Sequence, residues 1–306
     1  RPRARPRLDE RGRWRRQRRE ELKVLLVIDV GNTETVIGLY QRADTDTVPV
    51  IEESVGVGIG TERDPTAPAG LTHHWRLSTV PTRTPDEHAV LLTQLLDLEG
   101  LDIASSVTGI AVSSSVPQIT TELRQMATRW FADVPCVVLG PGTKSGMPIL
   151  YDNPKEVGAD RIADAVGAYD LYGGPCIVID MGTATTVEAI SAKGEYLGGA
   201  IVPGVAISLE ALYQQAAALR RVELVEPRSV IGRSTVESIE SGTLYGFAGL
   251  VDALARRFME ELGPSTVVAT GGFSSLIAPY SDTIEHVEPW LTLHGLRIVY
   301  ERNVNS

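Results

Sequence analysis

Residues 27–40 read VIDVGNTETVIGLY and residues 178–191 read VIDMGTATTVEAIS; at an offset of 151 they agree at six of fourteen positions. The shared residues are Val27/Val178, Ile28/Ile179, Asp29/Asp180, Gly31/Gly182, Thr35/Thr186 and Val36/Val187. Each copy is an apolar strand, an aspartate at its end, a glycine turn rich in Thr or Asn, and a second strand. Two copies half a chain apart imply two similar α/β halves, each offering an acidic, amide-rich loop to a shared cleft. Such a cleft suits a metal-bound polyphosphate, so the repeat points to an enzyme that uses a nucleotide.

Bulk properties narrow the class. A chain of 306 residues, 43% hydrophobic and 22% charged, has room for two domains with ordinary cores. No apolar run approaches the roughly 20 residues of a membrane span, and the charged N-terminus is not followed by the apolar core of a secretory signal. Cys136 and Cys176 both lie in apolar stretches and are expected to be reduced core residues, which fits a cytoplasmic protein. The net charge of −10 is uneven: residues 1–20 hold ten Arg against Asp9, Glu10 and Glu20, leaving −17 on the remainder. Residues 1–22 are therefore expected to be a disordered arm outside the catalytic body. An arginine-rich arm can bind nucleic acid, but the acidic body would repel the same partner, so no nucleic-acid or membrane partner is expected.

The pattern predicts strands at residues 23–29, 35–40, 75–78, 109–113 and 134–139, with helices over Pro85–Leu98 and 121–131. Residues 41–71 lack periodicity and read as an exposed insertion; its Gly56–Gly60 run is out of register for a dinucleotide loop. Gly140–Ser145 lacks the glycine a phosphate loop carries before its lysine. A helix is expected over 158–172, then a second strand-turn-strand, a strand at 196–201, helices over 206–219 and Thr235–Leu262, a strand at 266–269 and a closing helix over 293–300. Gly242, Gly246 and Gly249 in the long helix would allow close packing. Residues 23–173 and 174–306 form the two expected halves, the last helix packing back on the first.

The chemistry concentrates at strand ends. An ionised carboxylate at Asp29 or Asp180 is costly to bury without a cation or donors. Each could merely cap its own turn, but the duplication favours Mg²⁺ or a monovalent cation beside phosphates. Gly31, Asn32, Thr33, Gly182, Thr183, Thr185 and Thr186 would then supply amides and hydroxyls. The segment 151–161, YDNPKEVGADR, holds Asp160, able to accept a proton, and Arg161, able to pair with a carboxylate. Equally, Asp160 suits the first turn of a helix and Arg161 a surface, and the residues alone leave that contest open.

Taken together the motifs resemble the type III pantothenate kinases, of the superfamily that includes acetate and sugar kinases, heat-shock ATPases and actin. The resemblance rests on Asp29-Val-Gly-Asn-Thr33, Ser114-Ser-Val-Pro117, Asn153-Pro-Lys-Glu-Val-Gly-Ala-Asp-Arg161, Asp180-Met-Gly-Thr-Ala-Thr-Thr186, Gly198-Gly-Ala-Ile-Val-Pro-Gly204, Gly232-Arg-Ser-Thr235 and Ala269-Thr-Gly-Gly272, and runs from about residue 23 to 303. It implies two RNase H-like, actin-like ATPase halves with mixed sheets flanked by helices and the nucleotide between them. It also implies ATP-dependent phosphorylation of pantothenate, the first step of coenzyme A synthesis. By that resemblance Asp29, Val30, Gly31, Asn32, Thr33, Glu34, Thr35, Val36 and Thr183 bind ATP. Asp160 is the base, and Tyr151, Gly158, Ala159, Asp160, Arg161 and Thr235 contact pantothenate. Asp180 holds K⁺ or NH₄⁺, Asp29 faces Mg²⁺, directly or through water, and the active form is a homodimer. A superfamily kinase acting on another small acid or a sugar, and a nucleotide-binding regulator without catalysis, stay open as alternatives.

Overall fold

The computed structural model describes residues 22–42, 66–216 and 219–304. The arginine-rich arm up to residue 21 and most of the 41–71 insertion, including Gly56–Gly60, lie outside these described residues. In chain order the elements are β1 (Val24–Val30), β2 (Glu34–Gln41), β3 (Leu71–Ser78), α1 (Pro85–Leu98), α2 (Ile103–Ser106), β4 (Val107–Ser114), α3 (Pro117–Trp130), β5 (Cys136–Val138), α4 (Ala159–Tyr172) and β6 (Cys176–Met181). They continue as β7 (Ala184–Ile190), β8 (Tyr196–Pro203), α5 (Val205–Gln215), α6 (Thr235–Leu262), β9 (Thr266–Thr270), α7 (Ser274–Ile277), β10 (His286–Val287) and α8 (Leu291–Val304). Local signals explain several boundaries. Thr84 caps α1 and exchanges hydrogen bonds with Glu87, and Pro85 occupies the first turn, where its missing N–H costs nothing.

The two five-stranded sheets have the same plan. Their orders are β3-β2-β1-β4-β5 and β8-β7-β6-β9-β10. In each, the first three strands form an antiparallel meander and the last two run parallel to the first. This is an RNase H-like arrangement built twice. Cys136 departs from the expected core position: β5 is a three-residue edge strand and its thiol side is exposed, whereas Cys176 is buried.

Strand alternation decides which side chains reach which layer. In β1, Val24, Leu26, Ile28 and Val30 pack against α1 and α3. Leu25 and Val27 face the other way, towards α4 and α8. In β6, Ile177, Ile179 and Met181 pack towards α6, while Cys176 and Val178 face α4. The helices α4 and α8 thus form a middle layer between the sheets, with Ala163, Val166, Leu293 and Leu296 in one core with residues of both. They cross so closely that a side chain at Gly295 would collide with the carbonyl oxygen of Ala163. Asn303 ties the Gly140–Ser145 loop to α8, accepting from Lys144 N at 3.2 Å and donating to Lys144 O at 3.0 Å. Among the described residues no helix is long and apolar enough to cross a membrane.

Candidate active site

The parity that sends Leu25 and Val27 into the middle layer sends Asp29 there too, two residues on. Asp180 follows Cys176 and Val178 by the same count. Both carboxylates therefore point at the start of α4, which brings Asp160 in its first turn and Asp164 one turn later. The two repeated loops touch: Thr33 Oγ1 lies 3.0 Å from Thr183 Oγ1. Gly271, at φ +87°, lets the loop after β9 press against Asp180, and an added Cβ would sit 2.7 Å from Met181 N. Gly158 precedes α4 and leaves room for the Asp160 side chain, whose Oδ1 accepts from Arg161 N at 2.8 Å.

The electrostatics are those of crowded acids. Burial pushes the Asp29 carboxyl up to about 8, with repulsion from Asp160 next and Asp180 adding to it. Burial likewise raises Asp180 to about 7, with Asp160 and then Glu188 contributing. Asp164 is held well above the usual carboxylate range by burial and then by Asp180. Among the described residues no Lys or Arg side chain offsets any of these three. Oδ1 of Asp29 and Oδ1 of Asp164 are enclosed and lack hydrogen-bond partners among the described residues. Such a site calls for cations. Carboxylate oxygens are hard donors, and those of Asp29 and Asp180 fit Mg²⁺ or a monovalent cation. Among the described residues no three His, Cys, Asp or Glu converge tightly enough to hold a metal alone, so water and phosphate oxygens would complete each shell.

The remaining expected residues fall in different places. Gly31, Asn32 and Thr33 line the open end of the first loop, and Asn32 Nδ2 reaches Ser115 Oγ at 3.5 Å. Val30 and Thr35 are buried, Val36 is half-buried, and exposed Glu34 pairs with Arg76 at 2.5 Å. Arg161 is no surface charge: it is buried, donating from Nε and Nη2 to Glu188 at 2.6 and 2.8 Å. Tyr151 is half-buried, its ring 6.3 Å from that of Tyr196. Ala159 opens α4 beside Gly158. Thr235 is exposed in the first turn of α6, which packs on the opposite face of the second sheet, so this chain does not gather it with the others.

Residues 25–257 match the family profile described as type III pantothenate kinase. The chain belongs to that family. A type III pantothenate kinase from Streptomyces griseus subsp. griseus is 48% identical over 289 residues, spanning 92% of this chain and 99% of the relative. Another from Saccharopolyspora erythraea is 50% identical over 288 residues, spanning 92% and 100%. The crystal structure of a conserved Baf family protein from Campylobacter jejuni shares the fold, with a TM-score of 0.53 at 18% identity over 92% of this chain and 100% of that one.

Within the type III pantothenate kinase match lie three residues that sequence reasoning passed over. Asp164 had a signal, since four residues after Asp160 is the same helix face. Glu188 had a weaker one, an acid between Val187 and Ala189 in a strand whose other side chains are uncharged. Thr79 had none: it follows β3, donates from Oγ1 to Gly31 O at 2.8 Å, lies 2.9 Å from Thr35 Oγ1 and so braces the first loop.

Proposed function

We propose that this member of the type III pantothenate kinase family transfers the γ-phosphoryl group of ATP to the primary hydroxyl of pantothenate, giving 4'-phosphopantothenate at the first step of coenzyme A synthesis, as a homodimer in the cytoplasm. The observation that carries this reading is the convergence of Asp29, Asp160 and Asp180 between two loops whose threonines touch. Asp160 takes the hydroxyl proton as that oxygen bonds to the γ-phosphorus and the bond to the ADP oxygen breaks. Gly31, Asn32, Thr33 and Thr183 present amides and hydroxyls to the phosphates. Tyr151, Gly158, Ala159 and Arg161 place pantothenate against Asp160. Mg²⁺ beside Asp29, and K⁺ or NH₄⁺ beside Asp180, would supply the positive charge the phosphates need. Alignment and charge neutralisation then do most of the catalytic work, as is usual for phosphoryl transfer.

A dimer is supported by apolar side chains left open on neighbouring elements: Ile201 on β8, Ile207 and Leu212 on α5, Ile231, and Val236 on α6. Among the described residues, no atom outside the helix's own backbone lies within 4 Å of a Cβ added at Gly242, Gly246 or Gly249, so this stripe of the long helix is left open. Thr235 would lie at the edge of such an interface.

ADP release measured with and without pantothenate, and with Na⁺ in place of K⁺, tests the reaction. Release that requires both pantothenate and K⁺ is expected. ATP binding without release would favour the regulator, and a turnover of Asp160→Asn near wild type would remove Asp160 as the base.

A further inference from the structure

Glu188 is 1% exposed, on the face of β7 that looks towards α4. Both its oxygens are occupied. Oε1 accepts from Arg161 Nε and Oε2 from Arg161 Nη2, and the Tyr196 hydroxyl donates to Oε2 as well. Tyr196 is itself fully buried, and the Arg161 guanidinium carbon lies 5.9 Å from its ring centre. Space for the carboxylate exists because residue 199 is glycine; a Cβ there would sit 2.6 Å from Glu188 Oε2. Glu188 has no free oxygen and no surface, so it cannot touch a ligand.

Arg161 differs. A guanidinium has five N–H donors in a plane. Glu188 takes the edge formed by Nε and Nη2, leaving the opposite edge between Nη1 and Nη2. Nη1 has no hydrogen-bond partner among the described residues, and the side chain keeps 10% exposure. The fold alone does not require this pair, because buried ion pairs can be replaced by apolar residues of similar volume at little loss or with a gain. A held guanidinium with one satisfied edge and one open edge is what planar recognition of a carboxylate needs.

We propose that Glu188, with Tyr196, is a positioning residue that fixes the Arg161 guanidinium so that its open edge meets the carboxylate of pantothenate. This rests on the reading of pantothenate as substrate. The pairing also neutralises Arg161 in the free protein, so recognition of the acid depends on the direction of the remaining N–H groups rather than on net charge.

The test is steady-state kinetics of Glu188→Gln, Arg161→Lys and the double variant, with folding checked by circular dichroism. A glutamine at 188 has one acceptor oxygen and must turn an amide N–H₂ on Arg161 or Tyr196. The KM for pantothenate should rise about 10- to 100-fold, while the KM for ATP stays within about twofold. Because Glu188 acts through Arg161, the double variant should be little worse than Arg161→Lys alone. A pantothenate KM within about twofold of wild type in Glu188→Gln, or a double-variant rise equal to the product of the single rises, overturns the assignment. If Glu188→Gln fails to fold, Tyr196→Phe decides: a selective rise in pantothenate KM of a few-fold supports it, and no change overturns it. Wild-type enzyme that ignores pantothenate would instead bring down the proposed reaction, an outcome separate from an unmoved variant beside a working wild type.

Discussion

Replacing Asp29 by Asn should make the free protein more stable while destroying its activity. The Asp29 carboxyl is pushed from its ordinary 3.8 up to about 8, by burial first and by Asp160 second. Between about pH 4 and pH 8 the folded chain therefore holds a proton that the unfolded chain has released. Folding takes up that proton, so this group's contribution to stability falls as pH rises, by about 1.4 kcal/mol per unit. At pH 7 the full effect would reach about 4 kcal/mol; Asp29 keeps some exposed surface although Oδ1 is enclosed, so about 2 kcal/mol is the working expectation. Asparagine has the same shape and no proton to take up. In metal-free buffer Asp29→Asn should melt on the order of 5 °C above wild type at pH 7.5, with the gap closing towards pH 4. Added Mg²⁺ should raise the wild-type melting temperature and leave the variant unmoved. Differential scanning fluorimetry across pH with EDTA, and again with Mg²⁺, measures all of this. A variant that melts at or below wild type at pH 7.5, or a gap that does not widen with pH, would show that burial does not hold Asp29 protonated in the folded chain.

Two further outcomes test the packing. Gly295→Ala places a methyl against the Ala163 carbonyl oxygen; overpacking of about 1–3 kcal/mol exceeds a helix-propensity gain of about 1 kcal/mol. It should lower the melting temperature and, by shifting α4 and with it Asp160, reduce kcat about tenfold or more; an unchanged kcat would show that the α4–α8 contact does not position the base. Ile231→Glu, at a residue 80% exposed in one chain, should change monomer stability by no more than about 0.5 kcal/mol. It should nonetheless halve the mass seen by light scattering, and a mass equal to wild type would remove this face as the dimer contact.

Local structure was legible because local rules produce it. The spans Pro85–Leu98 and Thr235–Leu262 follow from helical spacing between a capping residue and a stop, and the structure has them as read. The start of α3 and both ends of α8 extend beyond the periodic stretches at 121–131 and 293–300, because those outer turns carry mixed polar residues that periodicity does not mark. The repeat also announced two similar halves, and the two sheets do share one strand order. Its sequence alignment, however, fails past the turn. Asp29 pairs across its hairpin with Val36, seven residues on, whereas Asp180 pairs with Thr186, six residues on. The matched Thr35 and Thr186 therefore point to opposite faces of their sheets: one braces the first loop from behind, and the other shares Asp180's side.

The alternating strands, the acid at the end of each and a helix beginning beside Asp160 are written in the order of residues alone. These are short-range properties of backbone geometry and side-chain periodicity. Folding alone places α4 between the sheets, so that carboxylates from distant segments repel one another in an enclosed space. It also buried Arg161 against Glu188, 27 residues away. Desolvation and Coulomb interaction depend on distance through space, and a linear string of residues does not carry that distance until the chain has folded.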